Sequence, residues 1–193
     1  KDVQDTLTPQ SVLQDLLDGN QRFIDGKSQI VDNNALINQT IGGQFPKAVV
    51  LSCIDSRVPV ETVLDQAIGD IFVSRVAGNL EYSCKAAGSK LVLVLGHESC
   101  GAVKAACDGV QLGNITAMLD NIMPAVELSK SEVAGESNSS NNEFVAKTVE
   151  NNVKLTIERI KNKSDILKDM ENTGEIAIVG GVYSLSTGRV QLI

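Results

Sequence analysis

Apolar residues recur along this chain in short blocks whose period switches between helical and extended. Val12, Leu13, Leu16 and Leu17 repeat at helical spacing behind Thr8, a good N-cap, and Pro9, which suits the first helical position. Gly19 signals a stop, and Phe23 and Ile24 carry the apolar face onto a short second piece. Residues 26–43 are polar and glycine-containing and read as a loop with one helical turn near 35–37. Residues 47–53 are apolar on both faces, the pattern of a buried parallel strand. A helix over 60–68, a strand over 70–76, a short helix over 80–87, a strand over 90–95 and a helix over 101–107 follow. Residues 115–130 predict one helix, kinked or broken at Pro124. After a polar loop at 134–142, Val145, Val149, Val153, Ile157 and Ile160 form a helical stripe. A buried strand over 175–179 and a Thr187-Gly188 turn lead into an edge strand at 189–193.

Strands alternating with helices predict an α/β fold. Its centre is a mostly parallel sheet of four strands plus an antiparallel edge strand, with helices on both faces and an N-terminal helical extension. No internal repeat or second boundary is visible, so residues 1–193 read as a single domain. A chain of this length buries a core without disulfide staples. The formal net charge of -7 argues against a nucleic-acid surface, which needs a basic stripe. No apolar run approaches the roughly 18–20 residues of a membrane span. Aromatics are 3% of residues and tryptophan is absent, which disfavours base-stacking platforms. Lys1-Asp2-Val3 has neither an initiator methionine nor an apolar signal region. The expected protein is soluble and cytoplasmic, or periplasmic if Lys1 follows a removed export signal.

Four cysteines and one histidine carry the candidate chemistry. Cys53 closes the first strand, and His97 closes the third, three residues before Cys100. In parallel sheets chemistry gathers at the carboxyl ends of strands. Three readings compete there: ordinary buried side chains, a Cys53–Cys100 disulfide, or a metal site. The His-x-x-Cys spacing at a strand-to-helix turn favours metal, because it presents both donors from one turn. Two cysteines and one histidine suit a zinc that keeps a fourth position open. Asp55 and Arg57 lie two and four residues past Cys53. As a surface ion pair they are worth about 0–1 kcal/mol. Beside a metal ligand, an arginine-held carboxylate is instead an acceptor aimed at a metal-bound water. Cys84 and Cys107 read as buried thiols on helix faces.

Cys53-Ile-Asp55-Ser-Arg57-Val-Pro59, followed by His97-Glu-Ser-Cys100-Gly101, resembles the paired signature of β-class carbonic anhydrases, in their plant-like branch. The resemblance extends through residues 69–79, the helix around Tyr82, the amino-terminal helix and the strand ending at Tyr183, so it covers nearly the whole chain. It implies one zinc per chain on Cys53, His97 and Cys100, and a catalytic dyad of Asp55 and Arg57. It further implies substrate contacts from Gln44, Phe72, Ala77, Tyr82 and Gly101, where Ala77 stands in place of a commoner valine. Another branch has a noncatalytic bicarbonate pocket that uses a tryptophan, which this chain lacks. The implied reaction is reversible hydration of carbon dioxide to bicarbonate and a proton. The implied partner is a second copy of the chain, in a dimer or tetramer. Residues 1–45 would then form an arm and loop packing on that partner, and Phe72 and Tyr82 would meet the zinc site across the interface. Two alternatives stay open: a carbon disulfide or carbonyl sulfide hydrolase on the same site, and a thiol redox sensor using Cys53 and Cys100.

One feature departs from the family. Asn79 runs directly into Leu80-Glu81-Tyr82, where relatives carry a longer connection. A parallel crossover needs about a dozen residues or more, and this one must skip a strand. The favoured reading is a segment missing between Asn79 and Leu80 rather than a compressed crossover.

Overall fold

Residues 1–75 and 79–193 are described by the computed structural model. Five strands, β1 (Ala48–Ser52), β2 (Ile71–Ser74), β3 (Leu91–His97), β4 (Ala177–Tyr183) and β5 (Val190–Leu192), form one sheet in the order β2-β1-β3-β4-β5. The first four are parallel and β5 runs antiparallel to β4, as the pattern predicts. Ala48 pairs with Ile71 on one side and Leu91 on the other, so β1 has covered neighbours on both edges. Its two faces are also buried. Ala48 and Val50 enter a core with Val12 and Leu16, while Val49 enters a second core with Val92, Val153 and Leu167. That is why the run shows no polar alternation. Since β2 and β3 flank β1, their connection skips a strand.

The helices are α1 (Asp2–Thr6), α2 (Pro9–Ile24), α3 (Asn33–Thr40), α4 (Val60–Val63), α5 (Gly101–Cys107), α6 (Gly113–Leu119), α7 (Met123–Lys130), α8 (Asn142–Lys163) and α9 (Asp165–Asn172). Thr8 and Ser11 exchange capping bonds at the start of α2. The helix does not stop at Gly19. A Cβ there would sit 1.9 Å from the Leu64 carbonyl oxygen, so this glycine permits a close approach rather than ending a helix. Buried Asn20 then donates to the Val63 and Gly188 carbonyls and accepts from the Val190 amide at 2.8 Å. Val12 and Leu16 of the arm thus belong to the chain's own core.

Several predicted boundaries move for tertiary reasons. The helix expected over 60–68 is only α4, because Asp65 turns left-handed (φ +49°) and gives its carboxylate to Arg22 and to the Gln29 amide. The turn near 35–37 grows into α3, capped by Asp32. Residues 115–130 hold two helices, and Pro124 opens the second instead of kinking one. α1, which the pattern did not announce, is seated by buried Gln4, whose amide donates to the Pro46 and Ala87 carbonyls. Among the described residues, no helix is long and apolar enough to cross a membrane.

A short π-helical turn, Tyr82–Ala86, presents Cys84 to the second core at 2% exposure. Burial alone pushes that thiol from about 9 up to about 12. A folded pKa above the unfolded one contributes stability that is complete below about pH 9 and is lost as pH rises toward 12. Cys84→Ala is therefore expected to flatten the decline of the denaturant midpoint between pH 9 and 11. An unchanged slope would show that this thiol does not govern the alkaline limb.

Candidate metal centre

Two strand ends and one helix start build the site. Cys53 follows β1, His97 is the last residue of β3, and Cys100 is the N-cap of α5. Ser99 between the latter two is left-handed (φ +52°), a turn that brings Cys100 back to the rim occupied by His97. The donor atoms of Cys53, His97 and Cys100 all lie within 4.8 Å of one another. All four cysteines are free thiols.

His97 is 1% exposed, and its two ring nitrogens have different surroundings. Nδ1 lies 2.9 Å from the Glu98 carbonyl oxygen, which can only accept, so Nδ1 carries the proton. Nε2 is then a bare lone pair, and it is buried without a hydrogen-bond partner. An unpaired buried polar atom costs about 1–3 kcal/mol. Here it points among two thiols, which is the arrangement a thiophilic cation relieves.

Asp55 and Arg57 form a bidentate pair. Arg57 Nε donates to Oδ1 at 3.0 Å and Nη2 to Oδ2 at 2.7 Å, and the Arg57 amide adds a third bond to Oδ1. These bonds from Arg57 hold the Asp55 carboxyl well below the usual carboxylate range. Oδ2 stands 3.8 Å from His97 Nε2, beyond hydrogen-bond reach. The carboxylate is thus turned onto arginine while its outer oxygen borders the cluster.

A cavity of about 280 Å³ opens beside the three donors. Leu51, Val94, Ile122, Val149 and Val153 make its apolar wall. Its polar residues, Arg75, Asn121, Asn152, Thr156 and Arg159, were not anticipated from the sequence. Arg75 had a signal: Leu51 pairs with Ser74, so the residue just past β2 falls beside Ser52, and Arg75 Nη1 donates to Ser52 Oγ at 2.7 Å. Asn152 and Thr156 flank the apolar stripe of α8 one turn apart. Asn121 and Arg159 join through the arginine's bond to the Asn121 carbonyl, which no local pattern announces.

The proposed substrate contacts do not gather in this cavity within one chain. Gln44 lies exposed in the loop before β1. Phe72 sits half-buried on β2 with its ring 6.2 Å from that of Tyr82, which is 59% exposed. Gly101 opens α5 with open space where a Cβ would be. Ala77 lies outside the described residues.

Comparison with known proteins places the sequence and the fold in one family. The carbonic anhydrase family matches residues 48–190. "Carbonic anhydrase 2" of Mycobacterium tuberculosis is 34% identical over 195 residues, covering 92% of this chain and 89% of its own length. The crystal structure of the β-carbonic anhydrase CafA of Aspergillus fumigatus superposes with a TM-score of 0.72 at 26% identity, covering 83% of this chain and 81% of its own. A tetrameric β-carbonic anhydrase of Sordaria macrospora shares the fold with a TM-score of 0.71 at 22% identity, covering 83% and 87%.

Proposed function

Since the chain belongs to the β-class carbonic anhydrase family, we propose that it catalyses the reversible hydration of carbon dioxide to bicarbonate and a proton, with zinc held by Cys53, His97 and Cys100. The observation that carries this reading is the buried, partnerless Nε2 of His97 facing two free thiols. The donor set fits the metal, since thiolate and neutral imidazole are both zinc ligands. When bound there, zinc supplies a Lewis acid that lowers the pKa of coordinated water toward neutrality.

The chain's own residues do the rest. Arg57 keeps Asp55 ionised and oriented, so that a carboxylate oxygen borders the donors as a fixed hydrogen-bond acceptor. The apolar wall of the cavity suits a small uncharged substrate. Gln44, Phe72, Ala77, Tyr82 and Gly101 are the further substrate contacts in this reading. A second copy brings some of them to the site, in a dimer or tetramer to which the 1–45 arm contributes. The exposure of Tyr82 beside Phe72 and the tetrameric relative support that assembly. The missing tryptophan favours the plant-like branch. The 195-residue alignment with the Mycobacterium tuberculosis relative covers only 92% of this chain's 193 positions, so that relative carries residues that this chain lacks, as the reading of a segment missing after Asn79 requires.

Hydrolysis of carbon disulfide or carbonyl sulfide and a thiol sensor are not favoured: the matching relatives are carbonic anhydrases. The test is metal analysis joined to a stopped-flow hydration assay. The expected protein retains about one zinc per chain and hydrates carbon dioxide faster than either sulfur analogue. Its only imidazole is buried at the metal cluster, so no histidine is free to carry protons out. Maximal turnover should therefore rise with buffer concentration and level off, while kcat/KM barely responds. Metal-free protein from reducing, chelator-free buffer, or the absence of hydration, overturns the proposal.

A further inference from the structure

We propose that Glu98 is a positioning residue for His97, acting through a carboxylate clamp on the β4–β5 turn; the proposal rests on the zinc reading above. Glu98 follows a metal ligand, yet its side chain turns away from the cluster. Oε2 accepts from Ser184 Oγ at 3.0 Å and from the Leu185 amide at 2.9 Å. Its own amide donates to the Tyr183 carbonyl at 3.0 Å, and its carbonyl takes the His97 Nδ1 proton. One residue therefore joins the end of β4 to the imidazole at four points.

The anchor is itself braced. The Ser184 amide donates to the Arg189 carbonyl and the Gly188 amide donates back to Ser184, both within 2.9 Å. Asn20 of α2 grips the same turn through Gly188 and Val190. The turn is thus a fixed object to which the peptide after His97 is tied. The clamp also borders a strained residue. Ser99 occupies the left-handed region, which a residue with a Cβ keeps only where its surroundings hold it. Bonds to a charged acceptor are the strong kind, and two converge on Oε2.

The consequence concerns a proton on a stated atom. If the Glu98–Ser99 peptide is free to rotate, the Glu98 carbonyl leaves Nδ1 and the neutral imidazole divides between two tautomers. The fraction protonated on Nε2 cannot ligate a metal. Partners that set a ligand's tautomer typically change metal affinity by about 10–100-fold when removed.

The variants are Glu98→Ala, Glu98→Gln and Ser184→Ala, read by zinc affinity in chelator competition and by nitrogen-15 NMR of the metal-free protein. The chain has one histidine, so both ring nitrogens are observed without ambiguity. Glu98→Ala is expected to lose about 10–100-fold in zinc affinity and to show mixed tautomers. Glu98→Gln keeps an oxygen that accepts both bonds and should stay within about threefold of the original protein with a pure Nδ1–H signal. Ser184→Ala, which removes one donor, should fall between them and judges the clamp if Glu98→Ala does not fold. Original affinity and an unchanged tautomer in Glu98→Ala would overturn the proposal, as would a Glu98→Gln as impaired as Glu98→Ala. If the original chain binds no zinc, the zinc reading fails, while the NMR arm still decides whether the clamp sets the tautomer.

Discussion

His97→Ala is expected to yield a folded protein that holds no zinc and hydrates carbon dioxide no faster than buffer. The imidazole contributes the one buried, unpaired lone pair of the cluster, and two thiols alone leave a tetrahedral ion underliganded. The rate effect spans several orders of magnitude, because water without a metal has a pKa near 15.7 rather than about 7. The fold should survive. His97 ends β3 beyond the Leu91–Leu95 core segment, and truncation removes an unsatisfied polar atom along with the ring's packing. Cys53→Ser and Cys100→Ser should behave alike, since a neutral hydroxyl is a poor zinc ligand. Metal content by mass spectrometry and stopped-flow hydration decide the matter. A variant without metal that keeps the original rate would show that the chemistry lies elsewhere.

Asp55→Asn is expected to keep zinc and lose about 10²–10³ in kcat/KM. The carboxylate accepts three bonds from Arg57 on two oxygens. An amide offers one oxygen, and its NH2 group would confront one of the guanidinium donors. The ionised acceptor beside the cluster is lost while Cys53, His97 and Cys100 remain. Arg57→Ala acts on the same oxygen by another route. Freed of its partner, the Asp55 carboxylate, already 3.8 Å from His97 Nε2, can swing toward the donors and occupy the position a substrate water needs. That variant should be zinc-loaded and inactive, and Arg57→Lys should restore little, because an ammonium cannot grip both oxygens. The double variant should be no worse than the poorer single one, as befits two groups acting as one unit. Full zinc content with the original rate in Asp55→Asn would remove the pair from the mechanism.

Local pattern was enough for those parts of the molecule whose causes are local. The double-faced apolar runs of β1 and β3 state that these strands are central, and they are. Cys53, His97 and Cys100 sit at the ends of those runs and within two turns of the chain, so alignment of two parallel strands suffices to bring them together. Asp55 and Arg57 pair across two residues, a contact the backbone makes nearly unavoidable.

Elsewhere the deciding partner is far away in sequence. Gly19 looks like a stop, yet the helix continues because Leu64 needs the space. Residues 60–68 have helical periodicity, yet Arg22 and Gln29 draw Asp65 out of the helix. The polar side of the cavity unites Arg75, Asn121 and Arg159 from three separate stretches of the chain. The clamp on Glu98 depends on Ser184, a partner 86 residues away. A sequence alone therefore determined the cluster of Cys53, His97 and Cys100, the Asp55–Arg57 pair and the sheet that carries them, because short-range geometry and burial period set these. Only the tertiary structure decided where helices end, what lines the cavity and which proton His97 keeps, because those follow from contacts that exist only once distant segments have packed.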